Sequence, residues 1–297
     1  MVERAHGRNC LVVCDDGRIY RCSSARGIGQ PVCNDRVELQ PDGGDDGRVS
    51  AILPRRNLID RSDYRGRARP LAANVERLLV VVAPEPEPDP LLLDAYLVLA
   101  RKHGLAPTLV LNKTDLCPQG TTAGDRLRAD LDDRRALGWD RLDVSAGRGA
   151  GLDSLRHCLH TGVGILVGQS GVGKSSLVNA LFPDRAARTG QLSETSGQGR
   201  HTTTETTLYR SAPGDRSGGL IDSPGVRILR LGHLDDAEIL AGFPDLTRWS
   251  DSCRYRNCSH QHEPDCGVRA AIDQGLCSQR RLDSLNRLLT MRTEIGD

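Results

Sequence analysis

Long apolar runs are missing from this 297-residue chain. No 18 consecutive apolar residues occur, which excludes a membrane-spanning helix from the expectations. The first ten residues carry Glu3, Arg4 and Arg8 without an apolar core, so no secretory leader is expected and a cytoplasmic setting is. An excess of one charge sign is missing too: the net charge is +1, so overall electrostatics do not announce a nucleic-acid partner. No internal repeat of solenoid length stands out. Lysine is nearly absent, since among 40 basic residues only Lys102, Lys113 and Lys174 are lysines, a bias in keeping with GC-rich coding. That scarcity makes Lys113 and Lys174 informative, because both stand in motifs that require the residue.

The length suits two or three domains and at least one sizeable core. Residues 1–69 read as short strands and turns of a small β-barrel of the OB type, with an SH3-like barrel fitting almost as well. Strands are predicted over Asn9–Cys14, Arg18–Cys22, Asp35–Leu39 and Arg48–Leu53, a hairpin turn at Asp15-Asp16-Gly17, and a loop over Pro41–Gly47. This segment holds 13 basic and 10 acidic residues.

Residues 70–234 change character. Leu78–Ala83 is a continuous apolar run of the kind a buried parallel strand needs. Asp89 and Pro90 open a helix, as N-cap and first helical residue, that runs through Leu91–His103 and stops at Gly104. Strands over Thr108–Leu111, Leu142–Ser145, Ile165–Val167 and Gly219–Ile221 alternate with helices over Leu152–His160 and Lys174–Phe182, predicting a doubly wound α/β sheet. Thr189–Thr207 is polar and rich in Gly, Ser and Thr, and reads as a mobile switch loop. Residues 235–297 read as a helical, cysteine-bearing unit with a last helix over Ser278–Arg292.

Gly168-Gln169-Ser170-Gly171-Val172-Gly173-Lys174-Ser175-Ser176 matches the P-loop pattern and sits between a strand and a helix, the context that motif needs. Its glycines let backbone N–H groups face phosphates at a helix N-terminus. Lys174 is the candidate for the β and γ phosphates and the chemical step, Ser175 for Mg²⁺ and Ser176 for the α phosphate. Asn112-Lys113-Thr114-Asp115 follows the strand ending at Leu111. The Asp115 carboxylate can accept from guanine N1–H and the 2-amino group, a donor pair adenine lacks, which selects GTP or GDP over ATP. Asn112 would hold this loop and the Lys113 stem would cover the base. Ser145 and Ala146 read as a second base loop with backbone N–H aimed at guanine O6. Asp222-Ser-Pro-Gly225 supplies Asp222 for Mg²⁺ through water and the Gly225 N–H for the γ phosphate.

The motif order is base loop, second base loop, P-loop, switch threonines, then the Asp222 motif. Most GTPases place the base loops last, so this is a circularly permuted P-loop GTPase domain. Within Gly199-Arg200-His201-Thr202-Thr203-Thr204, Thr203 is expected to complete Mg²⁺ coordination, with Thr202 as the alternative. Val226 occupies the place where many GTPases carry a water-orienting glutamine, so intrinsic hydrolysis should be slow, and His201 is the candidate catalytic replacement.

Of ten cysteines, Cys10, Cys14, Cys22, Cys33, Cys117, Cys158 and Cys277 are scattered and read as free thiols. Cys253, Cys258, His260 and Cys266 fall within 14 residues and suit a closed tetrahedral structural Zn²⁺ site, with His262 and Cys277 as rival ligands.

Taken together these motifs resemble the bacterial small ribosomal subunit biogenesis GTPase family RsgA, also called YjeQ or EngC. The resemblance extends to Leu53-Pro-Arg-Arg-Asn57 and Ala73-Asn-Val75 and covers nearly the whole chain. It implies an N-terminal OB-fold, a permuted GTPase domain and a zinc domain. It implies binding to the small ribosomal subunit and its rRNA, and GTPase activity stimulated by that particle. It further implies that Val226 is normal at its position and that His201 matches a histidine proposed to assist hydrolysis. A monomer is expected. Cys33-Asn34-Asp35-Arg36-Val37 departs from the Gly-Asp turn expected there. The segment from Asp236 carries 8 basic and 10 acidic residues, which weakens a purely electrostatic docking argument and leaves Arg254, Arg256, Arg280 and Arg281 as local candidates. The competing functions are a regulatory GTP sensor with little turnover and a nucleic-acid-binding protein whose P-loop serves ATP.

Overall fold

The computed structural model describes residues 1–62, 67–183, 206–210, 218–223 and 234–296. β1 (Val2–His6), β2 (Asn9–Val13) and β3 (Ile19–Ser24) form an antiparallel meander, and β4 (Val37–Gly43) and β5 (Asp46–Ile52) form a hairpin whose β5 runs parallel to β3. These five strands make the expected small barrel around Val2, Cys10, Val12, Tyr20, Cys22 and Val49. The β2–β3 turn is built as anticipated: Gly17 takes φ +83°, and the Arg18 N–H donates to Asp16 Oδ1 at 3.0 Å. The loop expected over 41–47 is instead a tight turn, because β4 continues to Gly43 and β5 begins at Asp46. Both faces of that end of β4 are exposed, so its pairing rests on backbone bonds and leaves no apolar pattern to read.

Two features were not legible in advance. β6 (Leu58–Ser62) and β7 (Ala68–Ala73) form a separate hairpin that spans the 69/70 position. β1 also pairs antiparallel with β12 (Thr206–Tyr209), so barrel and central strands share one 11-stranded sheet, in which the central strands are followed by β12-β1-β2-β3-β5-β4. Thr206 and Thr207, read as the end of the switch loop, are buried strand residues.

The central sheet is parallel. It comprises β8 (Arg77–Val82), β9 (Ala106–Leu111), β10 (Asp140–Asp143), β11 (Val163–Val167) and β13 (Gly219–Asp222). α1 (Pro90–His103), α2 (Thr122–Asp132), α3 (Leu152–His160) and α4 (Lys174–Leu181) cover it. The apolar run of β8 divides between two layers as a strand must. Leu78, Val80 and Val82 pack with Tyr96 and Leu97 of α1, whereas Leu79 and Val81 pack with Leu155 of α3 and Leu177 of α4. α1 starts and stops as predicted: Asp89 accepts from the Leu91 N–H at 3.0 Å, and Gly104 takes φ +64°.

The C-terminal part consists of α5 (Asp236–Leu240), α6 (Pro244–Thr247), α7 (Gly267–Asp273) and α8 (Gln279–Gly296). It packs on a second face of α1, where Ala95, Val98 and Leu99 meet Ile239, Phe243, Leu282 and Leu285. Among the described residues no helix is long and apolar enough to cross a membrane.

Candidate functional site

The parallel strands β9, β11 and β13 carry their motifs at the same edge of the sheet, on either side of β8. This edge of an open α/β sheet, at the point where the strand order reverses, is where such folds bind ligands. β8 is followed in sequence by β9, its neighbour on one side, yet its other neighbour is β11, so the base loop and the P-loop flank one crevice.

The P-loop leaves β11 at Gly168 and enters α4 at Lys174. Gly168, Gly171 and Gly173 take φ of +135°, +87° and +92°, values an L side chain resists. A Cβ on Gly168 would overlap the Val81 carbonyl, and one on Gly173 would overlap the Asn112 amide. Val172 is fully buried and anchors the loop, whereas Ser170, Gly171, Ser175 and Ser176 face outward and Gln169 is half-buried. The Lys174 ammonium donates to the Gly168 and Gln169 carbonyls at 2.6 and 2.5 Å, folded across the loop it belongs to. The N–H of Gly168 donates to the hydroxyl of Tyr96 at 2.9 Å. Tyr96 is fully buried on α1, and burial pushes its phenol above the ordinary range.

Asn112 binds the loops together. Its Nδ2 donates to the Val172 carbonyl at 2.9 Å, its backbone N–H donates to Val82 O, and its Oδ1 accepts from the Ala146 N–H at 3.1 Å. Lys113 takes φ +59°, and its ammonium donates to Glu85 O at 2.8 Å. The Thr114 hydroxyl donates to Val144 O at 3.0 Å, fixing the base loop to the end of β10. Asp115 accepts from the Ser145 hydroxyl at 2.5 Å, and this bond holds its carboxyl below the usual range. The two backbone N–H groups expected to meet the base already have protein partners: Ser145 N–H bonds Ala150 O and Ala146 N–H bonds Asn112. The Ser145 hydroxyl orients the Asp115 carboxylate.

Asp222 ends β13, one residue past the Ile165–Ile221 pair, which sets it level with Leu166 and just short of Gly168. The Thr206 hydroxyl donates to Ser223 Oγ at 3.0 Å, tying β12 to the start of that loop. Gly225, Val226, His201, Thr202 and Thr203 lie outside the described residues.

The second constellation is the cysteine cluster. One ligand atom each from Cys253, Cys258, His260 and Cys266 lies within 4.8 Å of every other. Cys253 and Cys266 sulfurs are 4.0 Å apart, and His260 Nδ1 stands 3.6 and 3.4 Å from them. A tetrahedral site with metal–sulfur bonds of about 2.3 Å has edges of roughly 3.8 Å. The sulfur pair is far too distant for a disulfide. Burial first, then the neighbouring thiols, push the Cys258 thiol up to about 12, while burial lowers the imidazole of His260. Ser250 Oγ, 3.4 Å from His260 Nε2, supports the far side of the ring, as outer partners of ligating histidines do. The rivals drop out: His262 is exposed outside the cluster, and Cys277 donates to Val268 O at 3.8 Å.

The departure at Cys33–Val37 has a structural answer. Asn34 takes the left-handed corner at φ +67° in place of glycine. Asp35, wholly buried, accepts from the Val32 N–H and from two nitrogens of Arg55 at 2.7 Å. Asn34, Asn57 and Asn74 then join barrel to sheet through Asn34 Nδ2 to Ala73 O, Asn74 Nδ2 to Asn34 O and Asn57 Nδ2 to Val75 O. One docking candidate is overturned. Arg281 is 3 % exposed and paired with Asp94 and Asp245 at 2.7 Å, with its guanidinium over the Phe243 ring at 4.2 Å, so it is a packing residue. Arg256 and Arg280 are exposed, and Arg254 pairs with exposed Asp265.

The family model described as RsgA GTPase matches residues 52–232. The small ribosomal subunit biogenesis GTPase RsgA of Azotobacter vinelandii is 42% identical over 278 residues, covering 94% of this chain and 80% of the relative. The protein of that name from Pseudomonas syringae pv. tomato is 42% identical over 275 residues, 93% of this chain and 79% of its own length. Among solved structures, YjeQ from Thermotoga maritima superposes with a TM-score of 0.73 at 26% identity, covering 99% of both chains. YloQ, described as a circularly permuted GTPase, superposes with a TM-score of 0.68 at 26% identity over 99% of this chain and 96% of its own.

Proposed function

The chain belongs to the RsgA GTPase family, and from that premise we propose that it hydrolyses GTP in the service of small ribosomal subunit maturation, with the subunit as the stimulating partner. The observation that carries this reading is Asn112, whose side chain bonds the P-loop and the second base loop at once, so the guanine and phosphate halves form one site.

The residue roles follow. Asp115, oriented by Ser145, reads the guanine edge, while Asn112, Lys113, Thr114 and Ala146 shape the base slot. Backbone N–H groups from Gly168 to Ser176 receive the phosphates, and Lys174 exchanges its two carbonyl partners for phosphate oxygens. Exposed Ser175 at the α4 N-terminus and Asp222 at the end of β13 suit Mg²⁺, with Thr203 or Thr202 completing the set; the ion would neutralise charge on the β and γ oxygens. Gly225 would sense the γ phosphate, and His201 would assist the attacking water. Zn²⁺ fits Cys253, Cys258, His260 and Cys266, whose spacing matches tetrahedral edges, and would hold the loop between α6 and α7.

The division into an OB-type barrel over 1–69, a permuted GTPase over 70–234 and a zinc-binding helical unit over 235–297 belongs to this reading. The separate apolar cluster of the barrel supports its first unit, while the C-terminal helices share their cluster with Ala95, Val98 and Leu99 of α1. Contact with rRNA, a cytoplasmic location and a monomeric state belong to it as well. Val226 favours one other reading, a GTP sensor with little turnover.

GTP turnover with and without purified small subunits decides between them, with Asp115→Asn as control. Stimulated turnover, and a shift of preference toward xanthine nucleotides in the variant, support the enzyme. Equal binding of ATP and GTP by the wild type would overturn it.

A further inference from the structure

α1 is buried on two faces that serve different parts of the molecule. One face carries Leu93, Tyr96, Leu97 and Ala100 against the sheet. The other carries Ala95, Val98 and Leu99 against the C-terminal helices. Asp94 and Tyr96 stand two positions apart, roughly 200° around the helix, so they point to opposite partners. Tyr96 accepts the N–H of Gly168, where the P-loop leaves β11. Asp94, 1 % exposed, accepts from Arg281 of α8, which also grips Asp245 and Gly242 O.

We propose that Tyr96 is a positioning residue for the P-loop, and that the Arg281–Asp94 pair on the opposite side of α1 sets how firmly Tyr96 holds it. The proposal rests on the nucleotide site described above. Gly168 is at φ +135° with no room for a Cβ beside Val81, and its N–H donates to the Tyr96 hydroxyl. A buried N–H without a partner is costly, and a loop that turned to satisfy it would leave its phosphate-receiving shape. Ligand affinity would then fall by the fraction of molecules that keep that shape. Because α1 is one rigid element, loosening its outer face at Asp94 shifts the hydroxyl on its inner face. The seating of the C-terminal unit thereby enters the affinity for nucleotide without touching the switch segments.

The test is equilibrium binding of a fluorescent GDP analogue to the full chain. Tyr96→Phe keeps the ring and its packing and deletes only the hydroxyl, so a role in packing alone predicts no change. The expected result is a Kd raised roughly tenfold with zinc content retained. Asp94→Asn should raise Kd by about threefold alone and by nothing further in the Tyr96→Phe background, since both act through one bond. A Kd for Tyr96→Phe within a factor of two of wild type overturns the positioning role. Additive effects overturn the link to Arg281. Should Tyr96→Phe fail to fold, hydrogen exchange at the Gly168 amide of the wild type decides: protection equal to that of β11 supports the bond, and exchange at the rate of an open loop refutes it. A wild type that binds no GDP would sink the nucleotide site itself, an outcome distinct from either failure.

Discussion

Asn112, at the end of β9, donates its side-chain amide to the carbonyl of Val172, sixty residues away in the P-loop. The same side chain accepts from Ala146. The three loops proposed to meet a single ligand are therefore fastened to one another, and most of the expected behaviour follows from this pre-organisation.

Asn112→Ala should leave the buried Val172 carbonyl and the Ala146 N–H without partners. An unpaired buried carbonyl such as that of Val172 costs about 1–3 kcal/mol, so the variant should unfold at lower denaturant and lose most of its GDP affinity. Denaturation curves and nucleotide titration on one sample read both. A variant with wild-type affinity would show that the loops are fastened elsewhere.

Asp115 offers a pH-dependent test. Its carboxyl is held low chiefly by the Ser145 hydroxyl. A carboxyl with a depressed folded-state value stays ionised further into acid, and guanine binding that needs the anion is lost only as pH falls through that depressed value. Ser145→Ala removes the donor, so the acid limb of GDP binding should move to higher pH while affinity at neutral pH falls modestly. An unmoved acid limb would mean that Ser145 does not act on the base-reading carboxylate.

Metal content is directly measurable. Elemental analysis should return one zinc per chain, and chelation should loosen the segment from Cys253 to Cys266, seen as a gain of hydrogen exchange there. Cys258→Ser should lower zinc retention, whereas His262→Ala should not, since the His262 side chain stands apart from the cluster. Equal loss in both variants would overturn the ligand set.

Arg281 should behave as a packing residue. Removing one partner of a buried charge pair typically costs about 3–5 kcal/mol, so Arg281→Met should lower stability markedly. The salt dependence of particle binding should keep its slope. Replacing exposed Arg256 and Arg280 together should do the reverse, with stability unchanged and a shallower slope. A change in slope for Arg281→Met at unchanged stability would restore it to the docking surface.

Much of this protein is local chemistry, and local chemistry is readable. The α1 caps at Asp89 and Gly104, the P-loop glycines, the Asp115 motif and the cysteine spacing need only their neighbours in sequence to be recognised, because each is set by backbone geometry or ligand reach over a few residues. Strands β8, β9 and β11 were legible for the same reason, since strands buried on both faces are apolar, whereas the edge strand β10, half-exposed and polar, begins two residues before the expected Leu142–Ser145. Harder to see were α2, whose inner face has only Leu127 and Leu131, and β6 and β7, whose pairing depends on each other.

What tertiary structure alone decided are the pairings between distant residues: β1 with β12, Asn34 with Asn74, Tyr96 with Gly168, Arg281 with Asp94. Exposed Arg280 and the buried clamp Arg281 have the same letter and adjoin in the chain. Burial and partner are set by which surfaces the fold brings together, and the energy of a buried polar group depends on that partner and not on its sequence context.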